Sequence, residues 1–152
     1  MQIFLKTLLL SVLALQNSFG ASSLSQSHEL SGAETSLISS VYEQNGAKKL
    51  VAGVEFKLQE GWKIYGNDDS GMGMPPEFNF SASQNYKNHN IFYPQALDGL
   101  EKIGSEEIKY KYYKNSVIFP IFIETLDQNQ PTKLNLKLSF ALCKDVCVPV
   151  NQ

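Results

Sequence analysis

The sequence predicts an all-β protein, a β-sandwich of antiparallel strands. Three observations carry that. Apolar and polar residues alternate over 48–59 and again over 133–142, the period-two pattern of strands with one buried face. Clusters of Gly, Pro, Asn and Asp separate many short β-rich runs, which is how an all-β chain is punctuated. No stretch carries a helical apolar period, and no internal repeat stands out. With 43% hydrophobic and 18% charged residues in 152, the composition fits one globular domain with a leader.

Residues 1–20 read as a secretory signal peptide. Lys6 supplies the positive end, residues 7–15 an apolar segment, and Ser18-Phe19-Gly20 the small residues before a cut ahead of Ala21. The apolar run is shorter than the roughly 20 residues a membrane span needs. No cysteine follows it to accept a lipid, and no later segment is apolar enough to cross. The mature chain is therefore expected to be exported without stable membrane insertion, into a compartment where disulfides persist. Residues 21–32, rich in Ser and Gln, read as a flexible leader, and 33–152 as the domain.

Within the domain, 35–42 is the first expected strand. Over 48–59, Leu50, Ala52, Val54, Phe56 and Leu58 share one face, and Glu55, Lys57 and Gln59 the other. Gly61 marks a turn, and 62–65 begins another strand. Residues 66–74 hold three glycines, two acids and two methionines, and Pro75-Pro76 closes them. The segment is a loop longer than a hairpin needs, and such loops are often functional.

Residues 77–80 resume a strand, 81–90 read as a polar linker, and 91–94 as a short strand ended by Pro94. Strands follow over 100–103 and 108–113. The run 116–124 is strongly β but contains Pro120, which predicts an edge strand or a bulge. Residues 127–131 are a turn. Over 133–142, Leu134, Leu136, Leu138 and Phe140 oppose Lys133, Asn135, Lys137 and Ser139. This count of short strands and turns predicts an immunoglobulin-like β-sandwich.

The charge pattern excludes one class of function. The net charge is −2 and the chain has no arginine, so no basic surface exists to hold a nucleic acid. No Ser/His/Asp set, phosphate loop or paired-carboxylate site is present either.

The chemistry concentrates at the end, in Ala141-Leu142-Cys143-Lys144-Asp145-Val146-Cys147-Val148-Pro149-Val150. Three residues between the cysteines suffice for a turn that brings the sulfurs together. The pair can be a disulfide, a dithiol or two soft metal ligands. As a staple it is weak: closing a five-residue loop removes about 2 kcal/mol of unfolded-chain entropy, against about 4.7 for a hundred-residue loop. A domain of this size also buries enough core to stand without it. Lys144 favours a thiolate nearby and Asp145 opposes it.

Four blocks together resemble a known family. They are Gly61-Trp62-Lys63-Ile64-Tyr65; Gly73-Met74-Pro75-Pro76-Glu77-Phe78; Tyr113 with Val117-Ile118-Phe119-Pro120; and Cys143-Lys144-Asp145-Val146-Cys147-Val148-Pro149. In this order they resemble the N-terminal periplasmic domain of DsbD, in the version found in the suppressor-of-copper-sensitivity (ScsB-type) proteins, here as a stand-alone secreted domain. The resemblance covers about 48–150. The cysteine spacing is narrower than in DsbD itself.

The resemblance implies an immunoglobulin-like fold, a periplasmic location and an oxidoreductase-like role as an electron carrier. No cofactor is needed beyond the redox-active Cys143/Cys147 pair. Reducing equivalents would pass between a membrane electron transporter of DsbD/ScsB type and periplasmic thioredoxin-like proteins by thiol–disulfide exchange. Cys147 would form the interprotein bond and Cys143 would resolve it. The loop 66–74 would cap the sulfurs, with Tyr65, Met72 or Met74 as shield and Asp68 or Asp69 as proton donor or acceptor.

Two other readings stand beside this one. Soft sulfurs suit Cu(I), so Cys143, Cys147, Met72 and Met74 form an alternative copper site, with His89 as a harder ligand. The Cys-x3-Cys-x-Pro string is also similar to Sco-type copper proteins, but those place a histidine after the cysteines on a thioredoxin-like fold. Here none follows Cys147, and His28 and His89 read as surface residues. The third reading is a non-catalytic sandwich with a structural disulfide, in which case Met72 and Met74 are core and Asp68 and Asp69 solvated.

Overall fold

The computed structural model describes residues 24–152, so the signal peptide expected over 1–20 lies outside the described residues. Eleven strands follow in chain order: β1 (Leu24–Leu30), β2 (Ala33–Gln44), β3 (Ala47–Leu58), β4 (Lys63–Tyr65), β5 (Glu77–Asn79), β6 (Tyr86–Ile91), β7 (Leu97–Ile103), β8 (Glu106–Lys114), β9 (Ser116–Thr125), β10 (Lys137–Cys143) and β11 (Cys147–Asn151). No helix occurs among the described residues. One antiparallel sheet has the order β1-β2-β3-β9-β6 and the other β11-β10-β4-β8-β7, with β5 pairing β10 beside β4. The two sheets pack as the predicted immunoglobulin-like β-sandwich.

The expected alternation places the core. From β3, Ala52, Val54, Phe56 and Leu58 are buried; from β9, Val117, Phe119, Ile121 and Ile123; from β10, Leu138, Phe140 and Leu142. Phe56 meets Phe119 edge-on at 5.6 Å and Phe140 at 5.0 Å. Phe119 also touches Phe78 at 5.3 Å and Tyr113 at 5.2 Å. Burial of each such ring contributes about 1.5–3 kcal/mol, and an edge-to-face pair roughly 0.5–1.5 more. Between β2 and β3 the turn residues Asn45 and Gly46 have φ of 53° and 75°. That is the left-handed pair a two-residue hairpin requires.

Four expectations are corrected. The flexible leader is not unpaired: residues 24–30 form β1, in register with β2 from Leu24↔Ser39 to Leu30↔Ala33. Its middle, Ser-Gln-Ser-His-Glu, has no apolar alternation, because backbone pairing supplies the ladder. Gly32, at φ +100°, makes the turn and lies under the Trp62 ring, where a Cβ would come within 2.4 Å of ring carbon.

The polar linker 81–90 contains most of β6. There His89 packs edge-on against Phe80 at 5.3 Å and shares a hydrogen bond with the Tyr86 hydroxyl at 2.7 Å. The expected 91–94 strand is only the end of that element, at Ile91.

Pro120 lies neither at an edge nor in a bulge: β9 runs between β3 and β6, and the register shift falls in β6 between Tyr86 and Asn88. The Pro120 carbonyl accepts the Phe92 N–H at 2.8 Å. A strand residue's N and O point to one side, so the missing donor faces Phe92. The reciprocal bond cannot form, and β6 stops one residue earlier.

Finally, the strand expected over 133–142 forms a continuous ladder only from Lys137. Before it Lys133 makes a lone bridge with Gln84, and Leu134 and Leu136 pack on the core outside any ladder. The closing residues after the second cysteine form β11.

Candidate functional site

The cysteines sit at the mouth of the β10–β11 hairpin, directly opposite each other in register. The hairpin is phased by its far end, where Leu138 and Gln152 exchange both backbone bonds, at 2.8 and 3.0 Å. Such pairs alternate along an antiparallel ladder with closer pairs that exchange none. Counting from Leu138, Cys143 and Cys147 form one of the closer pairs. Their Cα atoms are 4.0 Å apart and their sulfurs are bonded. The intervening turn closes with the Lys144 N–H donating to the Val146 carbonyl at 3.1 Å.

The same phase explains the proline after the pair. Pro149 faces Ala141 in another of the closer pairs, so its nitrogen points out from the sheet edge, where the lost donor blunts strand addition.

The two ends of the disulfide differ in exposure. Cys143 is 1% exposed. Cys147 is exposed and lies between Val146 at 71% and Val148 at 48%. Alternation assigns the pair to the outer face of its sheet: Ile64, Phe140 and Leu142 join the inter-sheet core, while Tyr65, Ala141 and Cys143 form a second buried cluster. An outer face needs a cover to be buried, and Met72, Met74 and Tyr110 pack against that cluster.

The cover is the loop 66–74, tied at both ends. Gly66 N–H donates to the Lys111 carbonyl at 2.8 Å, and Ala141 N–H to the Met74 carbonyl at 2.9 Å. Asp68 accepts from the Lys111 N–H through one oxygen and from the Ser70 N–H at 2.8 Å through the other. Burial works to raise its pKa, but the hydrogen bonds of Ser70 and Lys111 outweigh that and hold the carboxyl below its ordinary value. Gly73, at φ +68°, presses on the Tyr65 ring, where a Cβ would come within 2.0 Å. Only glycine allows that approach.

Beside the cysteines lies a cation that the sequence reading leaves out. Lys63 is the register partner of Cys143 on β4. Its Nζ donates to the Tyr110 hydroxyl at 2.9 Å. The same atom lies 5.0 Å from the Tyr65 ring centre, 4.6 Å from that of Tyr110 and 5.9 Å from that of Tyr112. Desolvation works to lower its pKa, but the hydrogen bond to Tyr110 and the neighbouring tyrosines raise it above the ordinary lysine value. The Lys-x-Tyr and Tyr-x-Tyr spacing put these residues on single strand faces. What the sequence lacks is the order in which β10, β4 and β8 lie side by side.

Of the residues singled out from sequence, the structure joins Cys143 to Cys147 and gathers Tyr65, Met72 and Met74 around Cys143. Asp68 turns to backbone donors, and Asp69 is exposed. His89 is on the other sheet, engaged with Tyr86, and burial lowers its pKa.

The family described as "Thiol:disulfide interchange protein DsbD, N-terminal" matches residues 33–152. Among solved structures, the crystal structure of the N-terminal periplasmic domain of ScsB from Proteus mirabilis superposes with a TM-score of 0.61 at 18% identity. The match covers 88% of this chain and 50% of that one, so this chain spans half the length of the ScsB chain. At that identity the likeness is one of fold. No curated protein sequence matches.

Proposed function

The chain belongs to the family of DsbD N-terminal domains, and from that membership we propose that it is a periplasmic thiol–disulfide exchange protein working through Cys143 and Cys147. The observation that supports this most is the one-sided burial of the disulfide, with Cys143 at 1% exposure and Cys147 open to solvent. A structural bridge has no use for that asymmetry, whereas an exchange centre must admit a partner sulfur in line with one end only.

In the oxidised protein a partner thiolate attacks Sγ of Cys147. The Cys143–Cys147 bond breaks and its electron pair leaves on Cys143 Sγ. The partner's second thiolate then attacks the partner sulfur of the mixed disulfide and releases Cys147, so the pair gains two electrons and, on protonation, two protons. In the reverse direction Cys147 attacks a partner disulfide and Cys143 resolves it. The partners proposed are a membrane electron transporter of DsbD/ScsB type on one side and periplasmic thioredoxin-like proteins on the other.

The midpoint potential of Cys143/Cys147 tests this. A carrier should equilibrate with glutathione or dithiothreitol buffers between about −120 and −270 mV. A value below about −300 mV marks a structural bridge and removes the carrier reading.

The packing of Met72 and Met74 against the cluster that contains Cys143 favours a second reading, Cu(I) binding by the reduced protein through four soft sulfurs. The expected result is competition for Cu(I) against a chelator that is lost in Cys143→Ser and Cys147→Ser but hardly altered in Met72→Leu/Met74→Leu. A large methionine effect would favour copper handling over electron transfer.

A further inference from the structure

Resting on the exchange reading, attack at exposed Cys147 forces the leaving electron pair onto Cys143, a sulfur at 1% exposure. A thiolate in so buried a place is unfavourable without a nearby cation. We propose that Lys63 is that cation, a positioning residue fixed by its tyrosine cage so that its charge stabilises the Cys143 thiolate.

The geometry supports this in three ways. Lys63 and Cys143 are register partners on adjacent strands, so their side chains leave the same face of the sheet. The Tyr65 ring shares the buried cluster of Cys143 and also lies under the Lys63 ammonium, at 5.0 Å. The ammonium is seated among the rings: it donates to the Tyr110 hydroxyl at 2.9 Å and lies 4.6 Å from that ring's centre. A cation over an aromatic face keeps its charge while losing water.

The other charges near the pair are placed less favourably. Lys114, the β8 partner of Lys63, is exposed. Lys144, in the hairpin turn, is exposed and runs along Gly61, whose Cβ would meet its Cε at 3.0 Å. Asp145 in the same turn and Asp69 in the loop are exposed carboxylates. Asp68 is occupied by Ser70 and Lys111. Tyr65, Tyr110 and Tyr112 complete the titratable set around the ammonium.

The step this serves balances without any other reactant. The partner thiolate forms a bond to Cys147 Sγ as the Cys147–Cys143 bond breaks, and one negative charge passes from the partner sulfur to Cys143 Sγ. Lys63 stabilises that charge where it arrives. In the reverse direction it keeps Cys143 ionised for the resolving attack.

The test uses Cys147→Ser, which leaves Cys143 as the single thiol, and follows the Cys143 13Cβ chemical shift against pH. Adding Lys63→Met should raise the Cys143 pKa by about one unit, a tenfold loss of thiolate at neutral pH. Lys63→Arg, which keeps charge and ring stacking, should bring the value back to within about 0.3 unit of the parent. The proposal is overturned if Lys63→Met leaves the pKa unchanged, or if Lys63→Arg shifts it as far as Lys63→Met does. Should Lys63→Met fail to fold, Lys63→Gln takes its place with the same two outcomes. No partner enters the measurement. A midpoint potential typical of structural bridges alongside an intact Lys63 effect would therefore remove the carrier reading and leave this one standing.

Discussion

Cys143→Ser will accumulate a mixed disulfide with thioredoxin-like partners through Cys147, and Cys147→Ser will not. The expectation follows from access. Exchange needs a thiolate to approach along the axis of the bond it breaks. Cys147 offers that path, since it begins β11 at the sheet edge with exposed Val146 and Val148 on either side. Cys143 is enclosed by Tyr65, Ala141 and the loop methionines. With Cys143 absent, only the partner's second cysteine can resolve the intermediate, so with a partner that keeps a single active-site cysteine it persists. With Cys147 absent, the remaining sulfur must react from beneath the cover, and exchange should fall on the order of a hundredfold or more, because access separates the two sulfurs more than basicity does. Non-reducing electrophoresis reads the outcome directly after incubation with a thioredoxin-like protein that keeps only its exposed active-site cysteine, activated as the mixed disulfide with a small aromatic thiol that departs as the leaving group. Trapping by Cys147→Ser alone would reverse the two roles, and trapping by neither variant would end the carrier reading.

The fold was legible where burial imposes a period and hidden where pairing does not need one. Phe56 and Phe140 were placed correctly because each sits in an alternating run whose other face is polar. Residues 24–30 and 86–91 escaped because backbone hydrogen bonds build β1 and β6 from polar side chains. Pro120 misled for a related reason. The rule against proline in an interior strand concerns a lost donor in mid-ladder, and here the loss falls at the last rung, where Phe92 still donates to the Pro120 carbonyl and β6 ends at Ile91.

The site divides in the same way. The cysteine pair and the glycine-rich loop were visible as local composition. The Lys63 cage was not, because it depends on β4 lying between β10 and β8, and no local pattern carries strand order. Asp68 shows the opposite limit: an acid in a functional loop suggests proton transfer, yet its oxygens are taken up by the backbone of Ser70 and Lys111. It is better placed to pin the loop than to move a proton.

Removing that loop should expose Cys143, the covered half of the reduced pair. A dithiol in an oxidising compartment is lost to small oxidants unless access is gated, yet its partner must reach the sulfur. The loop 66–74 meets both needs if it keeps small oxidants from Cys143 when the protein is alone, leaves Cys147 open to the partner, and lifts as exchange proceeds. Its ties suit such a cover: backbone bonds at Gly66 and Met74 fix the ends, Asp68 fastens the near side to β8, and between them only Met72 and the contact of Gly73 with Tyr65 hold it down. Replacing 68–72 by a tight turn removes the half-buried Met72 and leaves the inter-sheet core intact. The loss of about 1–2 kcal/mol of apolar burial should move the melting temperature by only a few degrees. Alkylation of Cys143 by iodoacetamide, measured in the Cys147→Ser background, should instead accelerate, on the order of tenfold, if the uncovered thiol reacts near the rate of exposed ones. Gly73→Ala should act in the same direction, because a side chain there cannot share space with the Tyr65 ring and must raise the loop. Equal alkylation rates in the parent and both variants would mean that the segment shields nothing, and that Met72 and Met74 are packing alone.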